Sequence, residues 1–143
     1  MPVYFDSSVL LEVLFRQPRA GQCIKIWSAE RDRHSSLLLV AECVINIRKA
    51  GFSGAAKVRD AFVSERLATL EKLAKAMSLR QIDDEVIEIL QTRPELARCR
   101  TLDALHVASA LLLQEHLDEP LEICSLDKRQ REMAQAVGLK VSP

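Results

Sequence analysis

Short β-favouring runs alternate with longer stretches of helical apolar spacing along the whole chain. In VYFDSSVLLEVL, residues 3–14, three β-favouring residues (Val3, Tyr4 and Phe5) run into Asp6, and two serines lead into an apolar stretch. This predicts a strand over 3–6 and a helix from Ser7 or Ser8 to Leu14. RQPRAG breaks the pattern, and a helix near 20–30 and a short strand near 33–36 follow. LLLVAECVINIRKAG reads as a buried helix stopped by Gly51. A long amphipathic helix is expected over 54–76, with Val58, Phe62, Leu67, Leu70 and Leu73 at three- to five-residue steps, close to helical spacing. MSLRQI is the next strand. DDEVIEILQTR starts with acids suited to a helix N-terminus, and Pro94 limits its far end. TLDALHVASALLLQEH is a second buried helix, LEICS a strand, DKRQREMAQAV a helix and LKV a last strand. Strands alternating with helices predict an α/β fold with a parallel sheet covered on both faces.

The length, 143 residues, predicts one domain over 1–143. Apolar residues make up 48% and aromatic ones only 4%, so the core is built from Leu, Val, Ile and Ala. Twenty basic and twenty acidic residues balance, which argues against nucleic-acid binding by bulk positive charge and leaves local basic patches open. The cysteines at 23, 43, 99 and 124 form no C-x-x-C pair, and no histidine pair has zinc spacing. Cys43 and Cys124 lie in apolar runs, as core thiols do. MPVYFD does not read as a signal peptide, and LHVASALLL is too short and polar to span a membrane. A reducing cytoplasm is the expected setting.

Four acids stand where acids are costly or exposed to ligand. Asp6 and Asp127 each follow a predicted strand, where open parallel sheets bind ligands. Either acid alone is as readily explained as a helix cap. Glu42 is the only charge between Ser35 and Ile47, on a helix apolar around most of its circumference. It requires a partner or a cavity. Lys49 shares its face and would satisfy it as an ion pair. Asp103, His106 and Ser109 make a drifting polar stripe on another apolar helix. A cap at Asp103 and a core-satisfied His106 are the bland readings. Carboxylates about 6 Å apart repel by about 3 kcal/mol per pair at an effective dielectric near 20. Four together therefore require protons or cations, and oxygen ligands without a His/Cys cage suit Mg²⁺ or Mn²⁺. Basic residues lie close in sequence to three of the acids: Arg48 and Lys49, Arg98 and Arg100, and Lys128, Arg129 and Arg131. On a solvated face they would do little. Beside a cation they would hold phosphates. Acids, a hard cation and a basic rim suit phosphodiester hydrolysis, in which the metal lowers the pKa of a water and offsets phosphate charge.

Four motifs, in order, resemble PIN-domain ribonucleases of the VapC toxin type: VYFDSSVLLEVL, LLLVAECVINIRKAG, RTLDALHVASALLL and ICSLDKRQREMAQAVGLKV. The resemblance implies a three-layer α/β/α domain with a central parallel sheet. It implies that Asp6, Glu42, Asp103 and Asp127 bind Mg²⁺ or Mn²⁺ and carry catalysis, with Ser8 and Ser125 supporting them. FDSS has serine where that family often has Thr or Asn. An RNA substrate, a homodimer and a small antitoxin reaching the active groove are implied too. Arg48, Lys49, Arg100 and Lys128 are the candidate substrate contacts. The competing expectation is a PIN-like module that binds RNA or protein without cleaving it. A phosphoacceptor receiver domain is a remote third, since it would want two acids after the first strand.

Overall fold

The computed structural model describes residues 1–53 and 55–143. Five strands, β1 (Val3–Phe5), β2 (Arg33–Ser36), β3 (Ser78–Arg80), β4 (Glu122–Cys124) and β5 (Lys140–Ser142), form one sheet in the order β3-β2-β1-β4-β5. Every pairing is parallel. Seven α-helices are described: α1 (Ser7–Leu14), α2 (Ala20–Ala29), α3 (Leu37–Ala50), α4 (Ala56–Lys75), α5 (Asp84–Thr92), α6 (Thr101–Glu115) and α7 (Lys128–Ala136). Pro94 stops α5 and opens a 3-10 turn over Pro94–Arg98.

Period-two alternation along the strands sorts the core into two layers. Val3, Phe5 and Cys124 face α1 to α4 with Leu10, Leu39 and Ile47. Tyr4 and Ile123 face α5 to α7 with Val86, Val107 and Leu111. The architecture is therefore a three-layer α/β/α sandwich. Among the described residues no helix is long and apolar enough to cross a membrane.

From β1 the chain winds outward to β2 and β3, then returns to add β4 and β5 on the other side. The sheet therefore reverses direction between β1 and β4, where Phe5 is level with Cys124. Ligand crevices of open α/β sheets form at such a reversal, beyond the carboxyl ends of the strands.

Two details depart from the pattern-based reading. Gly51 does end α3, but in right-handed backbone, so its freedom at positive φ is not used. A Cβ there would lie 2.5 Å from Val63 Cγ2, so glycine is required for α4 to approach. Val58, one of the apolar positions at helical spacing on α4, is 69% exposed. It lies at an open groove with Arg16 and Glu65, while Val63 turns inward against Gly51 and Leu70 is buried further along. The first residue of that predicted helix, Gly54, lies outside the described residues.

Candidate metal centre

Asp6 is the N-cap of α1 and is 3% exposed. Its Oδ2 accepts from Ser8 N–H at 3.3 Å, Ser8 Oγ at 2.6 Å and Ser125 Oγ at 3.0 Å. With its amide nitrogen turned toward these acceptors, Gln130 also donates to Asp6 Oδ2 at 2.7 Å and to Ser125 Oγ at 2.7 Å. Four donors thus converge on Oδ2. Oδ1 has longer contacts, from the same Gln130 amide at 3.3 Å and Ser7 Oγ at 3.4 Å, and lies 3.5 Å from His106 Nε2. The short hydrogen bonds on Oδ2 fix the carboxylate, and Oδ1 is the less tightly held oxygen.

The serines join the two strand ends. Ser8 Oγ accepts the Leu126 N–H at 3.0 Å, tying α1 to the loop after β4. Ser125 Oγ accepts the Asp127 N–H at 3.1 Å while donating to Asp6. Asp127 caps α7 through Oδ1, which accepts the Gln130 N–H at 2.8 Å.

Glu42 projects from α3 toward α6, where its Oε1 lies 2.5 Å from His106 Nε2. Its ion-pair partner is therefore His106 and not Lys49, which is exposed. Tyr4 Oη lies 2.9 Å from His106 Nδ1, with the two rings edge to face. Burial by itself would lower the pKa of His106. Tyr4, the hydrogen bond to Glu42 and the charges of Asp6 and Glu42 outweigh it and raise the pKa to about 10. In the charged form that this shift favours, Nε2 donates to Glu42 and Nδ1 to Tyr4. Ser109, the last member of the polar stripe, turns away and donates to Leu105 O at 2.7 Å.

Asp103 and Asp127 form the second half of the crevice and share Arg100. Arg100 Nε donates to Asp103 Oδ2 at 3.3 Å, and its Nη2 lies 3.8 Å from Asp127 Oδ2. Burial raises the Asp103 pKa, and the Asp127 carboxylate adds to this. Arg100 opposes the rise, and the more weakly acting Asp6 reinforces it. The acid cluster thus carries two internal counter-cations, His106 on the Asp6–Glu42 side and Arg100 on the Asp103–Asp127 side. Sequence reasoning anticipated neither pairing.

One atom each of Asp6, Glu42 and His106 lies within 4.8 Å of the others, and with His106 charged it is the two carboxylates that offer ligand atoms. One oxygen of Asp6 is locked, the other is less tightly held, and the flanking groups are carboxylates. That donor set fits a hard divalent cation. Of the expected substrate contacts, Arg100 lies at the acids. Lys128 begins α7 beside Asp127 and reaches Glu132 at 3.7 Å. Arg48 lines a separate groove with Gly51, Phe52 and Arg59.

Gln130 is the contributor that the sequence concealed. It is fully buried with Met133 and Ala134, at i, i+3 and i+4 on the inner face of α7. A glutamine on that apolar stripe was the available signal.

Comparison with known proteins follows this geometry. The family model described as PIN domain matches residues 3–136. Ribonuclease VapC46 of Mycobacterium tuberculosis is 28% identical over 139 residues, covering 97% of this chain and 95% of that protein. Among solved structures, FitAcB from Neisseria gonorrhoeae superposes with a TM-score of 0.73 at 17% identity, covering 99% of this chain and 96% of that one. A toxin–antitoxin complex from Klebsiella pneumoniae gives 0.67 at 16% identity, with coverage of 99% and 96%.

Proposed function

The chain belongs to the PIN-domain family, and on that premise we propose that it is a divalent-metal-dependent endoribonuclease, the toxin of a toxin–antitoxin pair. The observation that carries this reading is the approach of Asp6 and Glu42 at the sheet reversal, with Asp6 held on Oδ2 by four donors and the neighbouring Asp103 and Asp127 sharing Arg100. Helix capping accounts for Asp6 and Asp127 one at a time, and His106 for Glu42, but none of these roles calls for the acids to gather at one sheet edge. The likeness to a relative named as a ribonuclease supports the same reaction. The solved toxin–antitoxin complex supports an antitoxin as partner. A homodimer acting in the cytoplasm, each copy a single domain over 1–143, completes the proposal.

In this mechanism Asp6, Glu42 and Asp103 hold the principal Mg²⁺ or Mn²⁺, and Asp127 completes the site. When bound, the cation lowers the pKa of a water and offsets charge on the scissile phosphate. Ser8, Ser125 and Gln130 keep Asp6 in one orientation, so little reorganisation is left for the reaction. Arg100, 72% exposed at the side chain, swings between the acids and an incoming phosphate. Lys128, Lys49 and Arg48 contact the RNA backbone further out.

The test is cleavage of an RNA oligonucleotide by purified protein. Cutting with Mg²⁺ or Mn²⁺, and none by Asp6→Asn, is expected. Undiminished cutting in excess chelator rules the mechanism out.

A further inference from the structure

We infer that the cleft between the first turns of α2 and α7 is a phosphate-binding subsite that carries the RNA backbone away from the acid cluster. This rests on the nuclease reading above and extends its Lys128 contact into a substrate path with Arg19 and Arg131. Arg19, Gln22, Leu126, Lys128, Arg131 and Pro143 line a cleft of about 390 Å³. Three cations thus converge from two helices that are far apart in sequence. Glu12 accepts the Arg19 N–H at 2.7 Å and lies 3.9 Å from its guanidinium, and Glu132 lies 3.7 Å from Lys128. Arg131 donates to the Ser125 backbone oxygen at 2.9 Å and the Pro143 backbone oxygen at 2.7 Å, which fixes its guanidinium in the wall.

The backbone adds to the same field. Arg19, the N-cap of α2, makes no side-chain cap. Glu12 Oε1 takes the Arg19 N–H and Gln17 O the Ala20 N–H, so the first-turn groups left to an incoming ligand are the Gly21 and Gln22 N–H. A Cβ built on Gly21 meets nothing within 4 Å, so this helix end is open to an approaching group. A helix N-terminus beside guanidinium and ammonium groups suits an anion, and phosphate above all.

The cleft adjoins the candidate metal centre through the loop after β4. Leu126 and Lys128 flank Asp127. Arg131 grips the backbone of Ser125, whose hydroxyl donates to Asp6. A strand whose scissile phosphate sits at the acids would lay a neighbouring phosphate here. The described lining includes no aromatic ring on which a base could stack. The subsite therefore holds backbone and leaves sequence unread.

The test measures RNA binding by fluorescence anisotropy against salt, in an Asp6→Asn background with Mg²⁺ so that the probe stays intact. Arg19→Gln and Lys128→Gln are made singly and together, with Lys72→Gln on α4 as a control. Each lost contact should reduce the salt slope by roughly 0.7, so the double variant falls by roughly 1.4 while Lys72→Gln does not change. Calorimetric Mn²⁺ affinity of the same substitutions in the otherwise wild-type chain should be unaltered. An unchanged slope in the double variant overturns the subsite. If the wild type then still cuts RNA with Mn²⁺, the nuclease reading stands without it. Poly-glutamate supplies the remaining arm. Its binding lost in the double variant, with RNA binding kept, would assign the cleft to an acidic protein segment and overturn the proposal.

Discussion

His106 Nε2 lies 2.5 Å from Glu42 Oε1, so a carboxylate with no nearby counter-charge on an apolar helix is neutralised from 64 residues further along the chain. Tyr4, on β1 at the other side of the ring, holds the other ring nitrogen. The metal-free protein is thus internally compensated, and its stability depends on a proton.

The sign of that dependence follows from the raised pKa of His106, about 10 in the folded chain. The unfolded value is about 6.5, so the stabilisation is complete below that pH and is lost as pH rises through about 10. Between about pH 7 and 8 the folded state holds close to one more proton on this account, giving a loss approaching about 1.4 kcal/mol per pH unit, and above that range the raised thiols of Cys43 and Cys124 add to the loss. Urea unfolding in chelator should show this slope in the wild type and not in His106→Asn. A flat wild-type profile would mean that the imidazole is neutral.

Gln130→Leu should destabilise the protein by about 1.5–3 kcal/mol, the usual worth of a hydrogen bond to a charged group. It removes donors from both Asp6 and Ser125. Gln130→Glu should cost more, since it sets a second carboxylate against Asp6. Denaturant midpoints give both values, and an unperturbed Gln130→Glu would contradict the orientation assigned to this amide.

Gly51→Ala should cost about 1–3 kcal/mol by overpacking, because the new methyl meets Val63 Cγ2 at 2.5 Å. Val63→Ala in the same chain should recover part of the loss. A double-mutant cycle reads this coupling directly, and strict additivity would count against the contact.

These cases show what the sequence makes legible. Every strand and helix was signalled by periodicity, punctuation and acidic helix starts, because those signals are local. Asp6 and Asp127 were singled out by their position after a strand, and Glu42 and Asp103 by theirs on apolar helices. What failed was pairing across the fold. Lys49 was the visible partner for Glu42 because it shares the helix face, whereas His106 reaches it only through the packing of α6 against the sheet. Arg100 bridges Asp103 and Asp127, which come together only in the fold. Val58 fits the helical period, but periodicity does not say where a helix outruns its neighbours.

Asp103→Asn separates a metal ligand from a structural acid. Its Arg100 partner is exposed and burial already disfavours its charge, so metal-free stability should stay level or rise slightly. Mg²⁺ at 100 times its dissociation constant should stabilise the wild type by about 2.7 kcal/mol and the variant much less. Thermal melts with chelator and with Mg²⁺ decide. A marked loss in the variant under chelator, with no Mg²⁺ shift in the wild type, would identify Asp103 as an ion-pair partner only.

The central claim, that these acids hold a divalent cation for RNA hydrolysis, is tested most directly at Glu42, the acid with the strongest alternative explanation. Calorimetric titration of Mn²⁺ into wild type and Glu42→Gln, with RNA cleavage measured on the same samples, separates the two. The account predicts that Glu42→Gln remains folded, binds Mn²⁺ much more weakly and does not cut. An unfolded variant, beside a wild type that shows neither Mn²⁺ binding nor Mn²⁺-dependent cleavage, would reduce Glu42 to the structural partner of His106 and contradict the claim.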